Sequence, residues 1–326
     1  MTARAAVLLA YGAPPVVQER PEPEADAGHV LVEVHAAPIT PLDVLCASGT
    51  SYFGAPVLPY VPGVQGVGVV APGQALAAGT PVWFGTTAGM APGDGSLSTI
   101  VAVREADLVP LEHDVAATAV ASLGLSAVAA WMALTWRGEL APGEQVVILG
   151  AGGVVGQAGV RIARLRGARR VIAGCRSDAA AERAGRSGAD EVVRLDTDDV
   201  DELARRFVAA CDGPADLVLD PLFGAPAAAA LRALGPGGRL VNLGGSALPT
   251  ATFDSATLRS RSLRVLGYTN NELSADQRCG ALTAVLAHAA RGELRVDHEV
   301  VPLDRVADAW DAQQGRAAVR LVVDLT

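Results

Sequence analysis

The chain has 326 residues, half of them hydrophobic, and a formal net charge of −9. That is enough apolar chain for a large core and two domains, and the acidic balance, with no long basic run, excludes a nucleic-acid-binding protein. All 26 basic residues are arginine, which also excludes Schiff-base chemistry and a lysine proton donor.

In chain order, residues 1–115 read as β-rich. Val30–Val34 and Val67–Ala71 are short β-branched runs, Pro and Gly punctuate the region, and Glu19–Asp26 is an acidic, proline-bearing surface loop. Ala5–Ala10 is too short for a signal peptide and runs into Gly12 and two prolines. Val115–Trp136 carries no charge and is long enough to span a bilayer. Its Ala, Ser, Thr and Gly content and the interruption at Gly124 point instead to buried helices packed against the domain that follows. Cys46, Cys175, Cys211 and Cys279 are scattered, with no C-x-x-C pair. Reduced thiols in a cytoplasmic protein without a membrane segment are the expectation.

The segment Gln145–Gly156, QVVILGAGGVVG, is the most informative. An apolar, β-branched run, preceded by a Pro142-Gly143 turn signal, leads into a glycine cluster and a helix start. A dinucleotide needs that order: the strand delivers the chain to the sheet edge, and a tight turn brings backbone N–H groups against the pyrophosphate. The positive end of the next helix then faces the phosphate charge. The best frame is Ala151-Gly152-Gly153-Val154-Val155-Gly156, A-x-G-x-x-G. Ala151 takes the usual first-glycine slot, Gly153 allows close backbone approach, and Gly156 lets helix pack on strand. Val155, Val160, Ile162, Ala163 and Leu165 share much of a helix face opposite Arg161, Arg164 and Arg166, and Gly167 stops the helix. Arg170–Cys175 is the next strand, completing one β-α-β unit.

The end of that strand carries the coenzyme signal. An NAD site places Asp or Glu about 20 residues past the glycines, on the ribose hydroxyls. Here Cys175 stands 19 residues after Gly156 (175 − 156), followed by Arg176 and Ser177. A guanidinium and a hydroxyl suit a 2′-phosphate, which favours NADPH over NADH. The competing account makes Arg176 a solvated arginine and Ser177 or Asp178 a helix cap; capping and phosphate binding are compatible.

Further strands are expected at Glu191–Leu195, Asp216–Asp220 and Arg239–Leu243, with helices at Ala179–Arg186, Val200–Ala210 and Pro226–Leu234. The alternation predicts an α/β fold with a doubly wound parallel sheet over residues 116–255. Leu263–Gly267 reads as one more strand and Ala275–Ala290 as an amphipathic helix. The tail reads as strand (Glu299–Val301), helix (Asp304–Gln313) and strand (Val319–Leu325), so residues 256–326 would supply the last strand and a return to the first domain.

These elements, with APITPLDVLCASGTSYFGAPVLPYVPGVQGVGVV, DGSLSTIVAVREADLVPL, VVILGAGGVVG, GGRLVNLGG and VPLDRVADAW in that order, resemble the medium-chain dehydrogenase/reductase superfamily. The similarity spans essentially the whole chain and is nearest to the zinc-independent, quinone oxidoreductase-like branch. It implies a GroES-like substrate domain built from both chain ends around a Rossmann domain, an active site in the cleft between them, and homodimers formed around Leu263–Gly267. The zinc-dependent branch carries Cys where this chain has Thr40, three residues before Asp43, and Gly-His-Glu where it has Gly63-Val64-Gln65. Valine cannot ligate a metal and a glutamine amide is a poor zinc ligand. The structural-zinc cysteines have no counterpart either, so no metal is expected. Cys46 reads as packing, and the five histidines, none paired at ligand spacing, as surface or satisfied groups.

The same resemblance implies hydride transfer from NADPH to an activated C=C (enone or enoyl) or a quinone, followed by protonation from a side chain or water. Tyr52 matches a tyrosine that enoyl reductases place over the nicotinamide, and its phenol suits a developing oxyanion; it is alternatively a pocket wall. Thr40, where quinone oxidoreductases often carry Asn, is the second catalytic candidate. Asp43 reads as a carboxylate ordering backbone. Ser126 matches a helix-start hydroxyl near the nicotinamide amide. Asn242, Leu243, Gly244 and Gly245 end a strand at the sheet's ligand-binding edge, and Tyr268, Thr269 and Asn270 follow the last strand. Two alternatives stay open: a specialised-metabolism tailoring reductase acting on one large intermediate, and a non-catalytic NADPH-binding protein.

Overall fold

The computed structural model describes residues 2–326 apart from Ala75 and Arg316. In chain order, the first elements are β1 (Thr2–Val7), β2 (Val16–Pro21), β3 (His29–Ile39), α1 (Pro41–Ala47), β4 (Gln65–Val70), β5 (Pro81–Gly85), β6 (Ile100–Arg104), β7 (Leu108–Pro110) and α2 (Ala117–Met132). There follow β8 (Gln145–Leu149), α3 (Val154–Leu165), β9 (Arg170–Cys175), α4 (Asp178–Arg186), β10 (Glu191–Arg194), α5 (Val200–Ala210), β11 (Ala215–Asp220) and α6 (Gly224–Leu231). The chain ends with β12 (Leu234–Asn242), α7 (Ser255–Ser260), β13 (Arg264–Gly267), α8 (Ala275–Ala290), β14 (His298–Pro302), α9 (Val306–Gln314) and β15 (Arg320–Asp324).

The chain divides into two compact units, Met1–Gly124 with Val296–Thr326, and Leu125–Arg295. In the first, β14-β15-β3-β4-β5-β7 form one sheet with β6 also on β3, while β1 and β2 pair separately. The first and last segments of the chain share that sheet from β3 onward, because β15 runs antiparallel to β3. Val30, Val32 and Val34 alternate inward along β3, into a core that includes Phe84, Leu97 and Trp310.

The second unit is a six-stranded parallel sheet in the order β10-β9-β8-β11-β12-β13. Every residue of β8 is buried, as a strand covered on both faces requires. The order reverses direction between β8 and β11, which makes the carboxyl edge of those strands the switch point where ligands bind.

The structure corrects two expectations. The helix expected to end at Leu234 ends at Leu231. Leu234 opens β12 instead, paired with Ala215, and the glycines at 235, 237 and 238 lie inside a register shift of that strand. The uncharged stretch forms α2 and a π turn, Ala133–Arg137, and α2 is broken at Gly124, whose φ of 28° and ψ of −133° are non-helical. Ala117–Arg137 is apolar and long enough to cross a membrane, yet 67% of its most apolar window is buried within the fold. The units divide at that same glycine, later than the expected 115/116 boundary, and the return to the first unit comes at Val296, after β13 and α8.

Candidate cofactor site

The glycine turn of the second unit is built by its own backbone. Gly150 carries the left-handed conformation, φ 60°, so the turn's conformational demand falls one residue before the Ala151 slot assigned from the pattern. Gly153 N–H donates to the Gly150 carbonyl at 2.9 Å, and Ala151 N–H to Gly174 at 3.1 Å. A Cβ on Gly152 would lie 2.4 Å from that of Ala180, and one on Gly156 would lie 2.2 Å from the Gly150 oxygen. Those glycines are there for helix contact. Gly153 differs: it is exposed, and a Cβ there would meet only the Gly150 oxygen, at 3.4 Å. It is also the N-cap of α3 and brings no capping side chain. The first-turn N–H groups of Val154 and Val155 therefore face outward without an intrahelical acceptor, at the positive end of a twelve-residue helix. That open cradle fits a pyrophosphate.

Beside it, β9 ends at Cys175. Burial pushes this thiol up to about 11, against the pull of the Gly152 N–H and of Arg183 and Arg194. Arg176 and Ser177 follow, both exposed. Ser177 caps α4, accepting from Ala180 N–H at 3.2 Å, and keeps its own proton to donate. Sequence reasoning missed two neighbours. Arg183 Nε donates to the Gly152 carbonyl at 2.9 Å, and Arg194, at the end of β10, donates to the Arg176 carbonyl at 2.8 Å.

The other side of the switch point is tied down by Asp220. Its buried carboxyl is raised above the usual range by desolvation, against donors from Phe223, Asn242 and Leu222. Oδ1 accepts from Leu222 and Phe223 N–H at 2.9 and 2.8 Å. The Asn242 amide spends its protons on Asp220 Oδ2 (2.9 Å) and the Gly244 carbonyl (2.8 Å), so it shapes the Leu243–Gly245 turn. Phe223 holds a φ of 60° and ψ of −163°, a strained conformation for a side-chain-bearing residue. Tyr268 N–H donates to the Asn242 carbonyl (2.9 Å), its hydroxyl to Asn270 Oδ1 (2.7 Å), and Asn270 Nδ2 to the Leu125 carbonyl (3.0 Å). That chain of bonds brings Tyr268 and Asn270 to the helical turn carrying Ser126. Thr269 caps a short 3-10 turn.

In the first unit, Thr40 is the N-cap of α1. Its hydroxyl donates to Asp43 Oδ2 at 2.6 Å and accepts from Asp43 N–H at 3.2 Å. Asp43 Oδ1 accepts from Val64 N–H at 2.9 Å. Burial raises this carboxyl, opposed by Thr40, Val64 and the charge of Arg320, whose own value burial lowers to about 10. Asp43 therefore orders backbone, as expected, and the Thr40 proton points at it. Gln65 is buried and accepts from Trp83 Nε1 at 3.1 Å. Tyr52 sits on a turn, 78% exposed, with its ring centroid 4.2 Å from that of Phe53. Among the described residues no group of three or more His, Cys, Asp or Glu side chains could hold a metal ion.

Two family models match the chain: an alcohol dehydrogenase GroES-like domain over residues 26–113 and a zinc-binding dehydrogenase model over residues 154–286. Over 306 residues the chain is 32% identical to a phenolphthiocerol/phthiocerol polyketide synthase polypeptide of Mycobacterium tuberculosis, covering 90% of this chain but only 13% of that protein. It is 30% identical to the mitochondrial enoyl-[acyl-carrier-protein] reductase of Bos taurus over 273 residues, 81% of this chain and 72% of that one. Among solved structures, the quinone oxidoreductase of Thermus thermophilus, described together with its NADPH complex, superposes with a TM-score of 0.82 at 30% identity, covering 98% of this chain and 99% of that one. Fold, site and relatives together identify the chain as an oxidoreductase-family protein of the medium-chain dehydrogenase/reductase superfamily, in its quinone oxidoreductase-like branch.

Proposed function

We propose that this protein uses NADPH to reduce an activated C=C of an enone or enoyl compound, or a quinone. The observation that carries the coenzyme reading is the end of β9, where Cys175 stands in place of a ribose-binding carboxylate and the exposed Arg176 and Ser177 follow it. The open cradle at Gly153 supports it, as does the NADPH complex of the Thermus relative. Val154 and Val155 N–H groups take the pyrophosphate, and Arg176 and Ser177 take the 2′-phosphate. Ser126, the Leu243–Gly245 turn held by Asn242, Tyr268 and Asn270 orient the nicotinamide half. When bound, NADPH supplies the hydride.

Tyr52 is the proton donor in this reading: an exposed phenol can donate to the oxygen on which charge develops. Thr40 serves by fixing Asp43 and the start of α1, since its proton is committed there. Enoyl and quinone substrates are supported by the names of relatives of both kinds, and the polyketide synthase likeness favours a large acyl intermediate as one form of the first class. The exposed outer edge of β13, with Val265 41% accessible, supports a homodimer built there.

The test is NADPH oxidation against a panel of enones, enoyl thioesters and quinones. Turnover of one class, slowed by Tyr52→Phe without weaker NADPH binding, is the expected result. A blank across the panel together with tight NADPH binding would replace it with a coenzyme-binding protein.

A further inference from the structure

We propose that Arg194 is the second guanidinium on the adenosine 2′-phosphate, and that the Asp178 carboxylate holds its place until the phosphate arrives. This rests on the NADPH reading above and extends it to residues outside the glycine turn and the β9 end. β9 and β10 are parallel neighbours, and Arg194 pairs directly with Cys175, so both strands end at the same row of the sheet's carboxyl edge. Arg176, one residue beyond Cys175, and Arg194 thus share one corner although 18 residues separate them in sequence.

The corner is already organised for an anion. Arg194 Nη2 donates to the Arg176 carbonyl at 2.8 Å, which fixes its guanidinium against the backbone of the residue that carries the other cation. Its Nη1 donates to Asp178 Oδ1 at 2.6 Å. Two other arginines are near. Arg183 spends its Nε on the Gly152 carbonyl, and Arg206 is held by Asp196, Glu202 and the Arg194 carbonyl. Arg194 is the one tied both to the Arg176 backbone and to a displaceable carboxylate, so with Arg176 and the Ser177 hydroxyl it makes the corner.

Asp178 is the telling partner. Its side chain is 95% exposed, and its ion pair with Arg194 is of the solvent-screened kind that contributes little. A phosphate offers nearly two negative charges and three acceptor oxygens to the same fork. It can therefore displace the carboxylate, whereas the 2′-hydroxyl of NADH cannot. Asp178 then contributes to the choice from the other side: it repels the phosphate that takes its partner, while leaving NADH unaffected.

The experiment is equilibrium titration of the full chain with NADPH and with NADH, followed by reduced-nicotinamide fluorescence, for wild type, Arg194→Gln, Asp178→Asn and Arg176→Ala. Loss of charge-assisted bonds to phosphate should weaken NADPH binding to Arg194→Gln by about ten- to hundredfold, with NADH unchanged. Asp178→Asn should tighten NADPH alone, and Arg194→Lys should recover part of the preference. If Arg176→Ala abolishes the preference for NADPH while Arg194→Gln keeps it, Arg194 has no such role and the NADPH reading survives. If wild type binds both coenzymes equally, that reading falls and this one with it. Should Arg194→Gln fail to fold, unchanged NADPH affinity in Asp178→Asn refutes the proposal by itself.

Discussion

Two alanine substitutions three residues apart separate the fold of the glycine turn from its use. At Gly156 an added Cβ would lie 2.2 Å from the Gly150 oxygen and 2.5 Å from Ala151 Cα, whereas ordinary contact begins at 3.4 Å. Both obstacles are backbone of the turn after β8, so α3 must move off that turn by about the missing ångström. Overpacking of that severity costs about 3 kcal/mol. Replacing glycine inside a helix returns about 1 kcal/mol, leaving a net loss of about 2 kcal/mol and a fall in melting temperature of about 4–8 °C for a unit of this size. At Gly153 the backbone is extended, φ −81° and ψ 173°, and the new methyl meets only one atom at 3.4 Å. Stability should change by less than about 1 kcal/mol. The methyl nevertheless occupies the cradle, and losing one phosphate contact to a first-turn N–H costs about 1.5–3 kcal/mol, or about ten- to hundredfold in Kd. Thermal unfolding paired with NADPH titration reads both. Gly153→Ala binding NADPH like wild type, with Gly156→Ala melting normally, would show that Gly153 does not line the phosphate cradle and that Gly156 is not needed for α3 to pack.

Arg239→Met should destabilise the second unit by about 3–5 kcal/mol in denaturant unfolding, because Arg239 is buried, bonds both oxygens of Glu144 at 2.6 and 2.8 Å, and caps the Gly138, Glu139 and Asp216 carbonyls. Burial pushes the Cys46 and Cys175 thiols up to about 11. Peptide mapping after iodoacetamide treatment near neutral pH should therefore find exposed Cys279 labelled and these two unlabelled. Arg206 hydrogen bonds hold the Asp196 carboxyl below its usual 3.8, and Arg205 with Arg206 hold Glu202 below its own. Depressed carboxylates add stability above their ordinary values and lose it as pH falls through the folded ones. Arg206→Gln should flatten the acid limb of the stability profile below pH 4.5, the ordinary value for Glu202, and further below 3.8, that for Asp196; an unchanged limb would contradict this.

Much of the site is legible in the chain because it is local. QVVIL announces a strand buried on both faces, and the glycines after it can only make a turn. Residues that cross the sheet are not legible in that way. Arg194 and Arg183 reach the coenzyme corner from elements 18 and 31 residues away from their partners, and an arginine ending a strand looks like any solvated one. The usable signal is topological: in a parallel sheet the strand after β9 must end in the same row. Gly150 escapes the spacing pattern, which fits one residue later, because φ decides the turn and leaves no mark on spacing. Leu234 continues an alanine-rich run and so looks helical; its pairing with Ala215 overrides that local preference. Arg239 in an apolar strand is explained by Glu144, 95 residues away, and by the Gly138 and Glu139 carbonyls, 101 and 100 residues away.

The most direct measurement is the dissociation constant of the reduced coenzymes for the purified protein. Saturable binding is expected, with NADPH favoured over NADH by at least about tenfold, the worth of one charge-assisted phosphate bond, and with that margin lost in Arg176→Ala. No saturation by NADPH at millimolar concentration, or equal affinity for the two, would contradict it.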